Sequence, residues 1–172
     1  MGKTDWTSIV NRYGPLVWRT AWRLLGDGED VADCFQETFI AAVGVQRGGR
    51  IRSFPALLSR LATARALDQL RRRFRQRRQV QNLDDWSGVA LLDPDPAALA
   101  QATELAGRVQ EALGHLPAQQ AEALCLRALS ELSYRQIAGE MGIKSGAARV
   151  MVHRARGRLA QLLGESAKAK SR

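Results

Sequence analysis

Apolar side chains recur at intervals of three and four along most of the chain, and alternation in steps of two never lasts more than a few residues. A period near 3.6 is the mark of amphipathic helices and a period of 2 that of strands, so the pattern predicts an all-α protein. The first helix is expected over Trp6 to Leu25, with Ile9, Val10, Tyr13, Leu16, Val17, Ala21, Leu24 and Leu25 inward. Pro15 falls inside it and either kinks the helix or starts it afresh. Gly26-Asp27-Gly28 is a break, and a second helix follows from about Glu29 to Val45, burying Val31, Cys34, Phe35, Thr38, Phe39 and Ala42. Gln46 to Ser53 reads as a loop, and a third helix runs from Phe54 or Pro55 to about Arg78.

Further on, Ala97 to Leu113 places Leu99, Ala102, Leu105, Ala106, Val109 and Leu113 at core spacing, with Gly114 as the break. Pro117 opens another helix with Ala121, Leu124, Cys125, Ala128 and Leu129 inward. The last stretch, Leu132 to Leu163, reads as two helices about a tight turn. Ser133 and Gln136 have capping-box spacing, Gly142 suits a left-handed helix end, and Ser145 can cap the next helix. That helix buries Ala148, Val152, Ala155, Leu159 and Leu162 or Leu163, and exposes Arg149, His153, Arg154, Arg156 and Arg158. A short helix, a Gly turn and a basic second helix have the form of a DNA-binding helix-turn-helix. An ordinary helical hairpin with solvated arginines is the plainer alternative.

Charge sharpens this picture. The 172 residues carry 26 basic and 17 acidic side chains, net +9, which favours a polyanionic partner. The excess is uneven. Residues 1–79 are net +8 and residues 99–172 net +5, whereas residues 80–98 hold no base and four acids, Asp84, Asp85, Asp93 and Asp95. With two prolines and weak periodicity, residues 80–98 predict a flexible acidic linker. Two small basic helical domains, 1–79 and 99–164, are expected on either side, with a basic tail at 165–172. No apolar run approaches the ~20 residues that span a bilayer, and the N-terminus lacks a signal-peptide core, so a cytoplasmic protein without stable membrane insertion is expected. Cys34 and Cys125 fall at apolar helical positions and have no metal-ligand spacing with His115 or His153.

Two constellations carry candidate chemistry. Asp30, Asp33 and Glu37 line one face of the second helix at i, i+3 and i+7, either a solvated face or a dock for a basic protein. The third helix ends in RRRFRQRR, six arginines in eight residues, with Phe74 among them offering a stacking surface for a base or ribose. No nucleophile, Gly-rich phosphate loop or metal set accompanies the acids, so no enzyme is expected.

At these residues the chain resembles a known family. WRLLGDGEDVADCFQETFIAAV (Trp22 to Val43) is similar to region 2 of the extracytoplasmic-function (ECF) group of bacterial RNA polymerase sigma factors, as is LLSRLATARALDQLRRR (Leu57 to Arg73). Leu116 to Leu163 is similar to region 4. The resemblance implies that Asp30, Asp33, Gln36 and Glu37 dock on the β′ clamp helices of core RNA polymerase. It implies that Arg47, Arg50, Arg52, Arg65, Arg71, Arg72 and Arg73 read and open the −10 promoter element. It implies that Ser145, Arg149, His153, Arg154 and Arg156 read the −35 element, with region 4 on the β flap, that no cofactor is needed, and that an anti-sigma factor holds the protein in check. Ala64, where the family often has Asn, and Ala147-Ala148 in the recognition helix imply a distinct promoter preference. The competing expectation is a freestanding helix-turn-helix regulator that binds duplex DNA as a dimer.

Overall fold

The computed structural model describes residues 4–49, 51–79 and 96–170, with backbone alone at 77–79, 96–100 and 166–170. Seven helices and no strand occur among these residues: α1 (Trp6–Leu25), α2 (Gly28–Gly48), α3 (Phe54–Gln79), α4 (Pro96–His115), α5 (Ala118–Ala128), α6 (Tyr134–Met141) and α7 (Ser145–Lys170). The acidic run from Asp84 to Asp95 and Arg50 lie outside the described residues.

Asp5 starts α1 by accepting from the amides of Thr7 and Ser8, and Asp27 starts α2 by accepting from Glu29 and Asp30. Each carboxylate satisfies amides that have no partner inside the helix. Helix α1 passes through Pro15 unbroken. The hydrogen bond lost at proline is offset by the buried stripe that follows, Val17, Ala21, Leu24 and Leu25. The expected loop at Gln46 to Ser53 is shorter than its glycines suggested, because α2 runs on to Gly48. Gln46 hydrogen-bonds to Thr4 ahead of α1, which ties down that last turn.

Helix α3 is the hub, packing against α1, α2, α4, α5 and α6. Toward α1 and α2, Leu58 and Ala62 join Val17, Phe39 and Ala42 under the aromatic side chains of Trp6, Tyr13 and Phe54. Toward the second half of the chain, Ala66, Leu67 and Leu70 join a core that also holds Leu25, Cys34, Leu113, Leu124, Leu126, Ile137 and Val152. The two halves therefore share one apolar core. Small side chains at Ala56, Ser59, Ala62, Thr63 and Ala66 let neighbouring helices approach α3 closely.

Three expectations for the segment ahead of the helix-turn-helix need correction. Helix α4 does not stop at Gly114 but continues to His115. A Cβ at Gly114 would lie 3.0 Å from the Phe74 ring, so this glycine serves close approach rather than a break. The expected α4 stripe is misphased: Ala102 and Ala106 are exposed and Leu105 is 54% exposed, while Gln110, Ala112 and Leu113 are buried. The cause is placement, since α4 is an outer helix held on α3 and α7. On α5, Ala123 and Leu126 are buried and Ala128 is exposed, because α5 sits between α3 and α7 and is covered on two faces.

The helix-turn-helix forms as its spacing predicts. Gln136 N–H donates to Ser133 Oγ at 3.3 Å and Ser133 N–H donates to Gln136 Oε1 at 2.9 Å, the reciprocal capping box. Gly142 ends α6 at φ 66°, in the left-handed region. Ser145 is the first residue of α7 and not its cap, since Ala148 N–H already donates to Lys144 O.

The two exposed glycines of α6 respond oppositely to a methyl group. Gly142→Ala forces an L-residue into left-handed backbone and costs about 1–2 kcal/mol, while Gly139→Ala, whose Cβ meets nothing within 4 Å, gains about 0.5–1 kcal/mol. Urea unfolding of both variants checks the opposite signs.

Candidate nucleic-acid interface

Helix α7 presents the basic face expected of a recognition helix. Ser145, Arg149, His153, Arg154 and Arg156 are all exposed, and Ala148, Val152 and Ala155 on the opposite face fix the rotation of the helix by burial. Positions 145, 149, 153 and 156 are separated by four, four and three residues, so they align along one side. The guanidinium of Arg149 lies over the Tyr134 ring at 5.5 Å, and Arg127 lies at 5.3 Å from the same ring. Tyr134 thereby restrains one of the arginines before any ligand arrives. Its role was not legible in the sequence. Nothing of α3 packs broadly on α7, whose neighbours are α4, α5 and α6, and the basic face stays open.

The acids of α2 divide into two kinds. Asp30 forms an ion pair with Arg73, and Glu37 Oε2 accepts from Arg65 Nη1 at 2.9 Å. Asp33 and Gln36 are exposed, and Asp33 has no ion pair among the described residues. One turn further along the same side, Ile40 is 72% exposed. The exposed stripe is thus an acid, an amide and a bare aliphatic side chain, and Ile40 is a component that charge-based reading passed over.

The α3 arginines are not equivalent either. Arg65 and Arg73 are held by the α2 acids, and Arg73 Nη1 also reaches Leu25 O at 3.5 Å. Arg72 is exposed, as are Arg47 at the end of α2 and Arg52 in the loop. Arg71 donates to Asp68 at 3.2 Å and turns into the junction with α4 and α5, where its Nη2 is buried without a hydrogen-bond partner among the described residues. Phe74, expected to offer an open stacking surface, is half-buried against Gly114 instead.

Polar contacts tie the halves together around this helix. Arg60 Nε donates to Glu122 at 3.0 Å and Arg23 Nη1 donates to Leu129 O at 3.1 Å. Burial raises the Glu140 carboxyl from its ordinary value, opposed by the charge of Arg60. Among the described residues no group of three or more His, Cys, Asp or Glu could hold a metal ion, and no helix is long and apolar enough to cross a membrane.

Comparison with known proteins finds one match in each half of the chain. Sigma-70 region 2 matches residues 9–76, all but the ends of the α1 to α3 segment, and Sigma-70 region 4 matches residues 106–159, from within α4 to the middle of α7. The match to both regions, in that order, defines a sigma-70-type protein. The chain is 32% identical over 161 residues to the ECF RNA polymerase sigma factor SigE of Mycolicibacterium smegmatis, an alignment covering 94% of this chain and 62% of that relative. It is 25% identical over 155 residues to the ECF RNA polymerase sigma factor SigW of Bacillus subtilis, covering 86% of this chain and 83% of that one. In fold it is similar to the sigma factor RpoE of Bartonella quintana, solved with the anti-sigma factor NepR, with TM-score 0.56 and 24% identity over 93% of this chain and 97% of that one. The chain belongs to the sigma-70 family, and over most of its length it is similar to ECF members of that family.

Both cysteines are buried at the centre of this assembly. Burial pushes the Cys34 thiol up to about 11, opposed by its hydrogen bond with Thr38, and pushes the Cys125 thiol up to about 12. Both folded values lie above the ordinary 9.0. Their contribution to stability is therefore complete below pH 9 and is lost as pH rises through the folded values, because the unfolded thiols ionise first. The variant Cys34→Ala/Cys125→Ala is expected to lose less stability than the native chain between pH 9 and pH 11. Urea midpoints across that range test it, and equal slopes would contradict it.

Proposed function

We propose that this protein is a promoter-specificity subunit that binds bacterial core RNA polymerase and directs transcription to promoters with −35 and −10 elements. The observation that carries the reading is the combination, in one chain, of an acid-bearing α2 stripe, an arginine-rich α3 beside it, and an unobstructed basic recognition helix. A freestanding dimeric regulator has use for the third alone. In this reading Asp33, Gln36 and Ile40 meet the polymerase clamp, with Asp30 and Glu37 positioning α3 arginines from behind. Arg47, Arg52 and Arg72 reach the −10 strand first, Arg65, Arg71 and Arg73 join once their present partners are exchanged, and Arg50 contributes to the same contact. Ser145, Arg149, His153, Arg154 and Arg156 enter the −35 major groove, a docking that fits the helix-turn-helix geometry.

Size adds a constraint. Elements about 25 base pairs apart are about 85 Å apart at 3.4 Å per base pair, whereas a compact chain of this length has a radius of gyration of about 16 Å. The packed arrangement cannot touch both elements at once, so the halves separate when the protein works. Core polymerase supplies that separation by engaging each half at a distance from the other. The protein itself catalyses nothing and acts in the cytoplasm, where polymerase is. A polypeptide inhibitor comparable to NepR, solved with the Bartonella sigma factor, would act by holding the packed form.

Binding to purified core RNA polymerase tests the proposal. Asp33→Arg changes an exposed carboxylate with no ion pair among the described residues and should leave the fold intact while weakening polymerase binding by about tenfold or more, since facing like charges cost several kcal/mol. Unchanged polymerase affinity, together with tight binding of the free protein to palindromic duplex DNA, would overturn it in favour of the freestanding regulator.

A further inference from the structure

Where α3 meets the end of α4 and the start of α5, the surface folds into a cleft of about 500 Å³. Arg71, Arg72 and Arg75 line it from α3, and Gly114, His115 and Ala118 from the second half. Asp68, the one carboxylate among the described lining residues, is already engaged by Arg71 at 3.2 Å. Arg72 and Arg75 have no carboxylate partner among the described residues. The buried Nη2 of Arg71 has no acceptor among the described residues, and a guanidinium nitrogen out of water is stabilised only by finding one.

The opposite wall adds donors of a different kind. Helix α5 begins with Pro117 at its cap position, which makes no side-chain capping bond, and Ala118 faces the cleft. Amides of a first helical turn have no acceptor inside the helix, and the positive end of the helix dipole favours an anion there. Three arginines and an uncapped helix start line a space within the size range of small-molecule sites.

We propose that this cleft binds a small oligophosphate anion, of the class of pyrophosphate or the polyphosphate end of a nucleotide. Planar guanidinium groups match phosphate oxygens in pairs, and the cleft has room for more than a single phosphate. Helices wall it on two sides, which suits a compact anion better than a continuous nucleic-acid strand. Because its walls come from both halves of the chain, the site exists only while they are packed. The anion therefore stabilises the packed form by linkage. The consequence that it opposes promoter engagement rests on the sigma-factor reading, whereas the binding itself does not.

The test is calorimetric titration of the full chain with inorganic pyrophosphate at fixed ionic strength, without metal ions. One site per chain is expected, with Arg75→Ala and Ala118→Glu each weakening it by about tenfold. Arg158→Ala removes the same charge from an exposed position on α7 and should change it by less than about twofold, since salt screens a distant exposed charge. Pyrophosphate should also slow the reaction of Cys125, buried between α3 and α5, with an aromatic disulfide in the native chain and not in Arg75→Ala. Absence of saturable binding would overturn the proposal, and so would an equal loss in Arg158→Ala. A single-stranded oligodeoxynucleotide that binds through Arg75 while pyrophosphate does not would reassign the cleft to nucleic acid. None of these readouts involves polymerase, so failure here and failure of the polymerase-binding test are separable.

Discussion

Helix α3 has more neighbours than one amphipathic stripe can serve. It packs against five other helices, so apolar or small side chains occur around much of its first two-thirds, from Ala56 to Leu70. Its last turns carry arginines at 71, 72, 73, 75, 77 and 78. The same helix is thus core for both halves at one end and a polycation at the other. Every other feature follows from reconciling those roles. A cluster of guanidinium groups beside an apolar core is stable only where carboxylates, carbonyls or water lie within reach, and the packing of α1, α2, α4 and α5 brings such partners to some arginines and not to others.

The partners come chiefly from α2. Asp30 and Glu37 hold Arg73 and Arg65, so the helix proposed to dock on polymerase also sets the side chains proposed to meet the melted strand. These pairs are at least partly exposed, and exposed pairs are worth only about 0–1 kcal/mol each. That weakness suits function. A phosphate can replace a carboxylate at Arg65 or Arg73 without a large penalty, and a change at the docking face can be felt at the strand-binding face through the same pairs. The larger stabilisation lies in the shared apolar core, where Leu25, Leu67, Leu70, Leu124 and Leu126 meet.

Much of this was legible in the sequence. Helix positions, the capping box of Ser133 and Gln136, the left-handed Gly142 and the exposed arginines of α7 followed from local spacing, because local spacing determines them. The family resemblance carried the order of the two regions, which the comparisons bear out. What spacing could not convey was the packing of one half on the other. Phe74 looked like an open stacking surface because its partner, Gly114, is forty residues away in sequence. Gly114 looked like a helix break for the same reason. The α4 stripe was misphased because periodicity locates an apolar face only when one face is covered, and α4 buries Gln110 while leaving Leu105 exposed. Arg60 and Glu122, Arg23 and Leu129, and Arg149 over Tyr134 are likewise long-range contacts that no local pattern announces.

In the proposed mechanism α3 binds the two halves together in the free protein and releases one of them in the working complex. The direct measurement is the distance between spin labels at Arg19→Cys on α1 and Gln161→Cys on α7, both exposed positions, in a background with Cys34→Ala and Cys125→Ala. A single narrow, short distance in the free chain that gives way to a longer one on binding core polymerase is the predicted result. A broad distribution in the free chain, or a short distance that persists in the complex, would contradict it.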